Sequence, residues 1–243
     1  MKKADGHLAK YVYEAAGLGV FMFSAGLFDT LIDHPNFYFR QHITSALARR
    51  LLIGLSMGLT ALYIFTSPWG KKSGAYINPA VTIARYRLGQ ISAIDSIFYI
   101  VFQFAGGTFG MYLVYLIIPN LLSHPSINYI VTQPGKQGEA AAFIAEVIIS
   151  FLLITAVLFT EKHKIFSPYT PYIVAALITL FITFEAPLSG MSMNPARTLA
   201  SAVVGKQWHG FWIYCLAPLM GMLAGVELVK NFQKNHQPVN SIV

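Results

Sequence analysis

The chain has 243 residues, 55% of them hydrophobic and only 11% charged, where soluble domains carry roughly 25% charged residues; an ordinary soluble fold is excluded. Its net charge of +7 is dispersed between apolar segments of membrane length, so it reads as membrane topology and not as a nucleic-acid surface. The single cysteine, Cys215, excludes an intrachain disulfide framework and a cysteine-rich metal site, and in apolar surroundings it reads as an inert thiol.

The basic N-terminus MKKADGHLAK leads into no short cleavable apolar core, so the first apolar segment is expected to be retained. That segment, residues 11–32, is the first of six long enough to cross a hydrocarbon core, which takes about 20 helical residues. It contains Glu14 and, towards its end, Asp29. The second span covers 46–66 and is followed by an apparent insertion over 67–72. Next comes a semi-apolar segment, 78–88, that begins Asn-Pro and is too short to span. The third span is expected over 94–118 and the fourth, with Glu146, over 140–160. The fifth covers 171–186, a second short Asn-Pro segment covers 194–204, and the sixth span covers 211–229. Gly54, Gly58, Gly106, Gly107, Gly110, Gly221 and Gly225 fall inside spans, where small residues let helices approach closely. Asp29, Glu185 and Glu227 are expected at the membrane interface.

The two short segments carry the strongest signal. Each is about 11 residues, or roughly 16 Å of helix, half a bilayer. Proline at the first helical position is pre-organised for a helix start. The first is preceded by Ser73-Gly74-Ala75-Tyr76-Ile77 and opens Asn78-Pro79-Ala80; the second is preceded by Ser189-Gly190-Met191-Ser192-Met193 and opens Asn194-Pro195-Ala196. Ser, Gly, Asn, Pro and Ala match at the single offset that separates Asn78 from Asn194. Glu14 and Glu146 stand in equivalent spans. Three spans per half is an odd number, so the halves insert with opposite orientation and their short segments meet at the midplane. The expected fold is all-α: six transmembrane helices and two re-entrant half-helices in an inverted repeat. It forms one domain over 1–243, with halves at about 8–118 and 138–231. Eleven lysines and arginines fall on the side of the termini and five on the other, leaving Arg197 aside, which predicts cytoplasmic termini.

On SGAYINPAVT, SGMSMNPAR, the two span glutamates and the six-plus-two layout, the chain resembles the aquaporin and glycerol-facilitator family, the major intrinsic proteins. The resemblance runs from about Tyr11 to Val229. It implies a passive channel in a plasma (inner) membrane, assembled as a homotetramer with one pore per subunit, and needing no cofactor. Half-helix N-termini meeting head to head place positive dipole ends at one point, as described for aquaporin-type pores in general. Asn78 and Asn194 would donate hydrogen bonds to the permeant there, while as helix caps they would also serve the fold. Arg197, a guanidinium in an uncharged membrane segment, would line the narrow outer constriction. By carry-over Ile182, Met191 and Ile53 complete that ring, Ile53 being reached across the 67–72 insertion. Glu14 and Glu146 would accept hydrogen bonds from the loop backbones.

This ring departs from the family's patterns. Water-selective members typically carry histidine and phenylalanine at the positions of Ile182 and Ile53, and glycerol channels tryptophan, phenylalanine and a glycine. Thr198 stands where glycerol channels usually have aspartate, and Ala202 and Tyr214 are more water-channel-like, whereas Cys215 occupies a place where tryptophan is common in water channels. The lean is to water, with a glycerol or small-polyol facilitator as the alternative. An ion- or proton-coupled transporter is a third reading, since transporters also use inverted repeats and broken helices. No catalytic or metal residues are expected: no His-Glu-x-x-His pattern or nucleophile elbow occurs, and the histidines fall in tails, loops or span edges.

Overall fold

Helix boundaries in this chain fall at capping and breaking residues, most of them within two residues of the edges of the apolar segments. In the computed structural model, which describes residues 2–235, the first helix, α1 (Lys2–Asp33), runs well outside the predicted 11–32. It stops two residues short of Pro35, a residue type that disfavours helix before it. The ends of the expected 1–243 domain, and His236, lie outside the described residues. Helix α2 (Ala46–Thr66) starts where the Ser45 side chain accepts from the Ala48 N–H. Ser67 then ends α2 and caps a short helix, Pro68–Ser73, by accepting from the Gly70 N–H at 3.0 Å. The 67–72 insertion is therefore a helical turn that closes on Gly74 at φ 93°.

The half-helices are α3 (Pro79–Arg87) and α7 (Pro195–Gly205), capped by Asn78 and Asn194. Between them lie α4 (Ala93–Ile117), α5 (Glu139–Lys162) and α6 (Thr170–Phe184), and α8 (Phe211–Asn235) closes the chain. Six helices are long and apolar enough to cross a membrane, and no strand occurs among the described residues. Large apolar side chains such as Leu59, Tyr63, Ile97, Phe109, Ile148 and Leu216 face outward. That arrangement is costly in water and ordinary in lipid, where a helix apolar all round is expected.

Glycine sets how the helices pair. A Cβ on Gly106 would lie 2.1 Å from the Ala15 carbonyl oxygen, and one on Gly110 2.1 Å from that of Gly19, which locks α1 against α4. At the equivalent places in the second half, Gly221 would meet the Val147 oxygen at 2.3 Å and Gly225 the Ile154 side chain at 2.5 Å, locking α5 against α8. The third pair, α2 with α6, uses Gly54 and Gly58 against Thr179 and Ala175. These contacts leave a central space into which both half-helices insert.

Candidate functional site

The two loops that lead into the half-helices have the same unusual backbone. Ala75 and Ile77 have φ of 46° and 41°, and Met191 and Met193, at the same offset, 52° and 54°. Such left-handed values cost a non-glycine residue of order 1–3 kcal/mol and persist only where the surroundings over-determine them. Here the determinant is a buried carboxylate. Glu14 accepts from the Tyr76 and Ile77 N–H groups at 3.0 and 2.6 Å and from Gln103 Nε2 at 2.8 Å. Glu146 accepts from the Ser192 and Met193 N–H groups and from the Ser189 hydroxyl, each at 2.7 Å. Tyr99 and Tyr214 complete the frame by donating to the Ser73 and Ser189 carbonyls at 2.7 and 2.5 Å. The N–H groups of Gly74 and Gly190 donate to the Gly70 and Ala186 carbonyls and those of Ala75 and Met191 to the Ser73 and Ser189 hydroxyls, while the carbonyl oxygens of residues 74–76 and 190–192 accept no hydrogen bond among the described residues.

Each asparagine works in two directions. Asn78 Oδ1 accepts from the Ala80 N–H, while its Nδ2 donates to the Met193 carbonyl at 2.7 Å. Asn194 Oδ1 accepts from the N–H groups of Ala196 and Arg197, and its Nδ2 donates to the Ile77 carbonyl at 2.8 Å. The oxygen of each caps its own half-helix, and one N–H ties it to the opposite loop. An amide nitrogen carries two donors, so each asparagine retains one N–H. Pro79, Ala80, Pro195 and Ala196 are buried behind this junction in the first turns of the half-helices.

Asn78 and Asn194 line a cavity of about 480 Å³ that also brings together Ile53, Ile182, Met191 and Arg197. Arg197 Nη1 donates to the Ile130 carbonyl at 2.7 Å. The loop 128–130 that presents this oxygen has three consecutive residues at φ of 47–53°. Along the walls stand Phe21, Met57, Leu153, Val174 and Ile178. At the end remote from Arg197 the lining includes Arg85 and Glu161. Their two hydrogen bonds, 2.7 and 2.6 Å, join the end of α3 to the end of α5, and the guanidinium lies 5.4 Å from the centre of the Tyr76 ring. Glu14 and Glu146 do not line the cavity.

The family model of the major intrinsic proteins matches residues 8–228, nearly the whole chain. The chain belongs to the major intrinsic protein family. Mouse aquaporin-4 is 33% identical over 182 residues, 72% of this chain and 54% of that protein. Mouse aquaporin-8 is 29% identical over 219 residues, 88% of this chain and 78% of the relative. The chain thus spans little more than half the length of the first of these. An aquaglyceroporin from Plasmodium falciparum, solved by X-ray, superposes with a TM-score of 0.78 over 91% of this chain and 95% of that one; at 21% identity it shows a shared fold. As a major intrinsic protein, the chain is an integral, multi-pass membrane protein of a transport family.

Two residues depart from their expected place at the interface. Asp29 lies one turn inside the end of α1 and lines the cavity. Glu185 is only 7% exposed, beside the second loop. Both stand within one turn of a helix end that the sequence placed to within two residues; what apolarity alone does not give is their inward direction. Glu227 does sit near the end of α8, half-exposed and paired with Arg87 at 2.8 Å. Sequence reasoning missed the loop-supporting roles of Tyr99 and Gln103 in this major intrinsic protein, and the Ile130 carbonyl beside Arg197. For Tyr99 a signal existed, because Tyr99 and Tyr214 occupy matching positions in the two repeats. For the Ile130 carbonyl there was none, since it is a backbone atom placed by a loop.

Proposed function

We propose that the chain is a passive transmembrane channel for water and other small uncharged solutes, that it excludes ions and protons, and that it is not an enzyme. The observation that carries the reading is the asparagine pair, whose caps and cross-loop bonds leave one N–H on each residue at the centre of the cavity. A water at that point accepts from both amides and from the positive ends of two half-helices, each worth roughly half an elementary charge. With its oxygen engaged there, it is turned away from passing a proton along the file, and a cation meets four like-signed groups. On either side the free carbonyls of residues 74–76 and 190–192 offer acceptors against an otherwise apolar wall. Ile53, Ile182, Met191 and Arg197 form the selectivity constriction, with Arg197 as its main polar donor; Glu14 and Glu146 hold the loops.

A coupled transporter would need titratable groups in the cavity at the midplane. The midplane pair is neutral, and both buried glutamates are saturated with donors and stand outside the cavity lining. In this reading the termini are cytoplasmic, the membrane is the plasma (inner) membrane, and the assembly is a homotetramer with one pore per single-domain subunit. A small-polyol facilitator is the alternative within the same architecture. Stopped-flow light scattering on reconstituted vesicles, comparing water, glycerol and urea, tests the proposal. Water permeability well above protein-free vesicles is expected; no excess for any of the three solutes defeats it.

A further inference from the structure

We propose that Asp29 is a fifth side chain of the outer constriction, and that with Arg197 it forms a paired acceptor and donor for small amides such as urea. The inference rests on the channel reading above. Glu14 and Glu146, the other carboxylates that serve the pore, each hold three donors. Asp29 makes no hydrogen bond or ion pair among the described residues, yet lines the cavity together with Ile53, Ile182, Met191 and Arg197. It is within electrostatic reach of Arg197 without touching it. An ionisable side chain at this depth is costly to keep unless it faces water or a ligand.

Arg197 is the complementary half. Its Nη1 is engaged by the Ile130 carbonyl, and its Nε and Nη2 make no bond among the described residues. Arg50 borders the same mouth with its Nε committed to the Thr183 carbonyl at 3.0 Å. The remaining ring members, two isoleucines and a methionine, offer a permeant no polar side chain. A solute that sheds its water here finds its donors in Arg197 and its acceptors in Asp29 and the free carbonyls of residues 190–192, and Asp29 is the one charged acceptor among them; a polar group left unpaired in such a place carries the full desolvation penalty. A planar amide fits, with a carbonyl at one end and N–H donors at the other in one rigid unit. A polyol distributes hydroxyls along a flexible chain, and two polar side chains on the wall leave part of it unmatched. The negative charge of Asp29 also offsets that of Arg197, so the mouth favours a strongly dipolar neutral solute over an ion of either sign.

The test is stopped-flow permeability of water, glycerol, urea and acetamide in vesicles carrying the wild type, Asp29→Ala, Asp29→Asn or Asp29→Glu. In the wild type the amides are expected to pass faster than glycerol. Asp29→Ala lowers the amide-to-glycerol ratio by roughly ten-fold, the scale of one lost charge-assisted hydrogen bond at a barrier. Asp29→Asn lowers it less, and Asp29→Glu recovers part of the wild-type ratio. An equal change for all solutes in every variant assigns Asp29 a structural role and overturns the inference. A wild type that passes water but neither amide overturns it alone. A wild type that passes none of the four overturns the channel reading and, with it, this inference.

Discussion

At the scale of single residues, the fold brings Asn78, Asn194 and Arg197 together on one cavity lining. Asn78, Asn194 and Arg197 were legible in the sequence because each is anomalous where it stands: two asparagines opening duplicated half-helices, and a guanidinium in an uncharged segment. Asp29 was equally visible as a residue, but its position one turn from the end of α1 hid that it faces the cavity. Arg197 permits a direct test. Its guanidinium is fixed by the Ile130 carbonyl and contacts no carboxylate among the described residues, so it is not neutralised in a direct ion pair. Replacing it in Arg197→Val removes the positive charge and the main donor of the ring while keeping the site apolar. The expected outcome is a measurable rise in proton or cation leak, read in vesicles loaded with a pH-sensitive dye under a potassium gradient. Leak equal to the wild type, in protein that still passes water, would show that Arg197 does not guard the pore.

At the scale of elements, four of the six spans were legible to within two residues, and the other two differ at one end each, because apolarity over membrane length has few other causes. Ser45, Ser67 and Ser92 start helices by capping; α1 stops at Asp33, one residue past its apolar run and two before Pro35, but begins at Lys2, nine residues before that run. The pairing of helices depends on glycine, which lipid-embedded packing requires because apolar side chains gain nothing by leaving hydrocarbon. Gly106 lies in the tightest of these contacts, where an added methyl group would sit 2.1 Å from a backbone oxygen of α1. Gly106→Ala should therefore force α1 and α4 apart and cost about 1–3 kcal/mol, the usual range for overpacking. Gly6→Ala provides the comparison, since nothing lies within 4 Å of its added methyl group and alanine is the better helix former. Thermal unfolding in detergent should show a lower midpoint for Gly106→Ala and an unchanged or slightly higher one for Gly6→Ala. Equal midpoints for the two variants would mean that the α1–α4 contact is not the constraint the geometry implies.

At the scale of the whole molecule, the fold places carboxylates inside a low-dielectric bundle, and its stability depends on whether each finds donors. The duplicated motif made Glu14 and Glu146 legible as a pair, whereas Glu185 has no counterpart in the repeat and its environment appears only in three dimensions. Both of its carboxylate oxygens are buried without a hydrogen-bond partner. Its neighbour Ser189 has already donated its one hydroxyl proton to Glu146. Burial, and then the negative charge of Glu146, push the Glu185 carboxyl from the ordinary 4.5 up to about 8. Between those two values the folded chain holds a proton that the unfolded chain has released, so the folded state binds more protons and stability falls as pH rises. Below about pH 4.5 both states are protonated and the residue imposes no penalty of this kind; above about pH 8 the penalty is complete. Glu185→Gln, which cannot ionise, should remove this dependence. The gain in melting temperature of Glu185→Gln over wild type should therefore grow from pH 5 to pH 9. Each 1 kcal/mol relieved appears as roughly 2–4 °C in a chain of this size. Any fixed cost of burying the glutamine amide shifts the whole comparison equally and leaves its slope intact. Wild-type and variant melting curves that stay parallel across this range would mean that Glu185 ionises in the folded protein as it does in the unfolded chain.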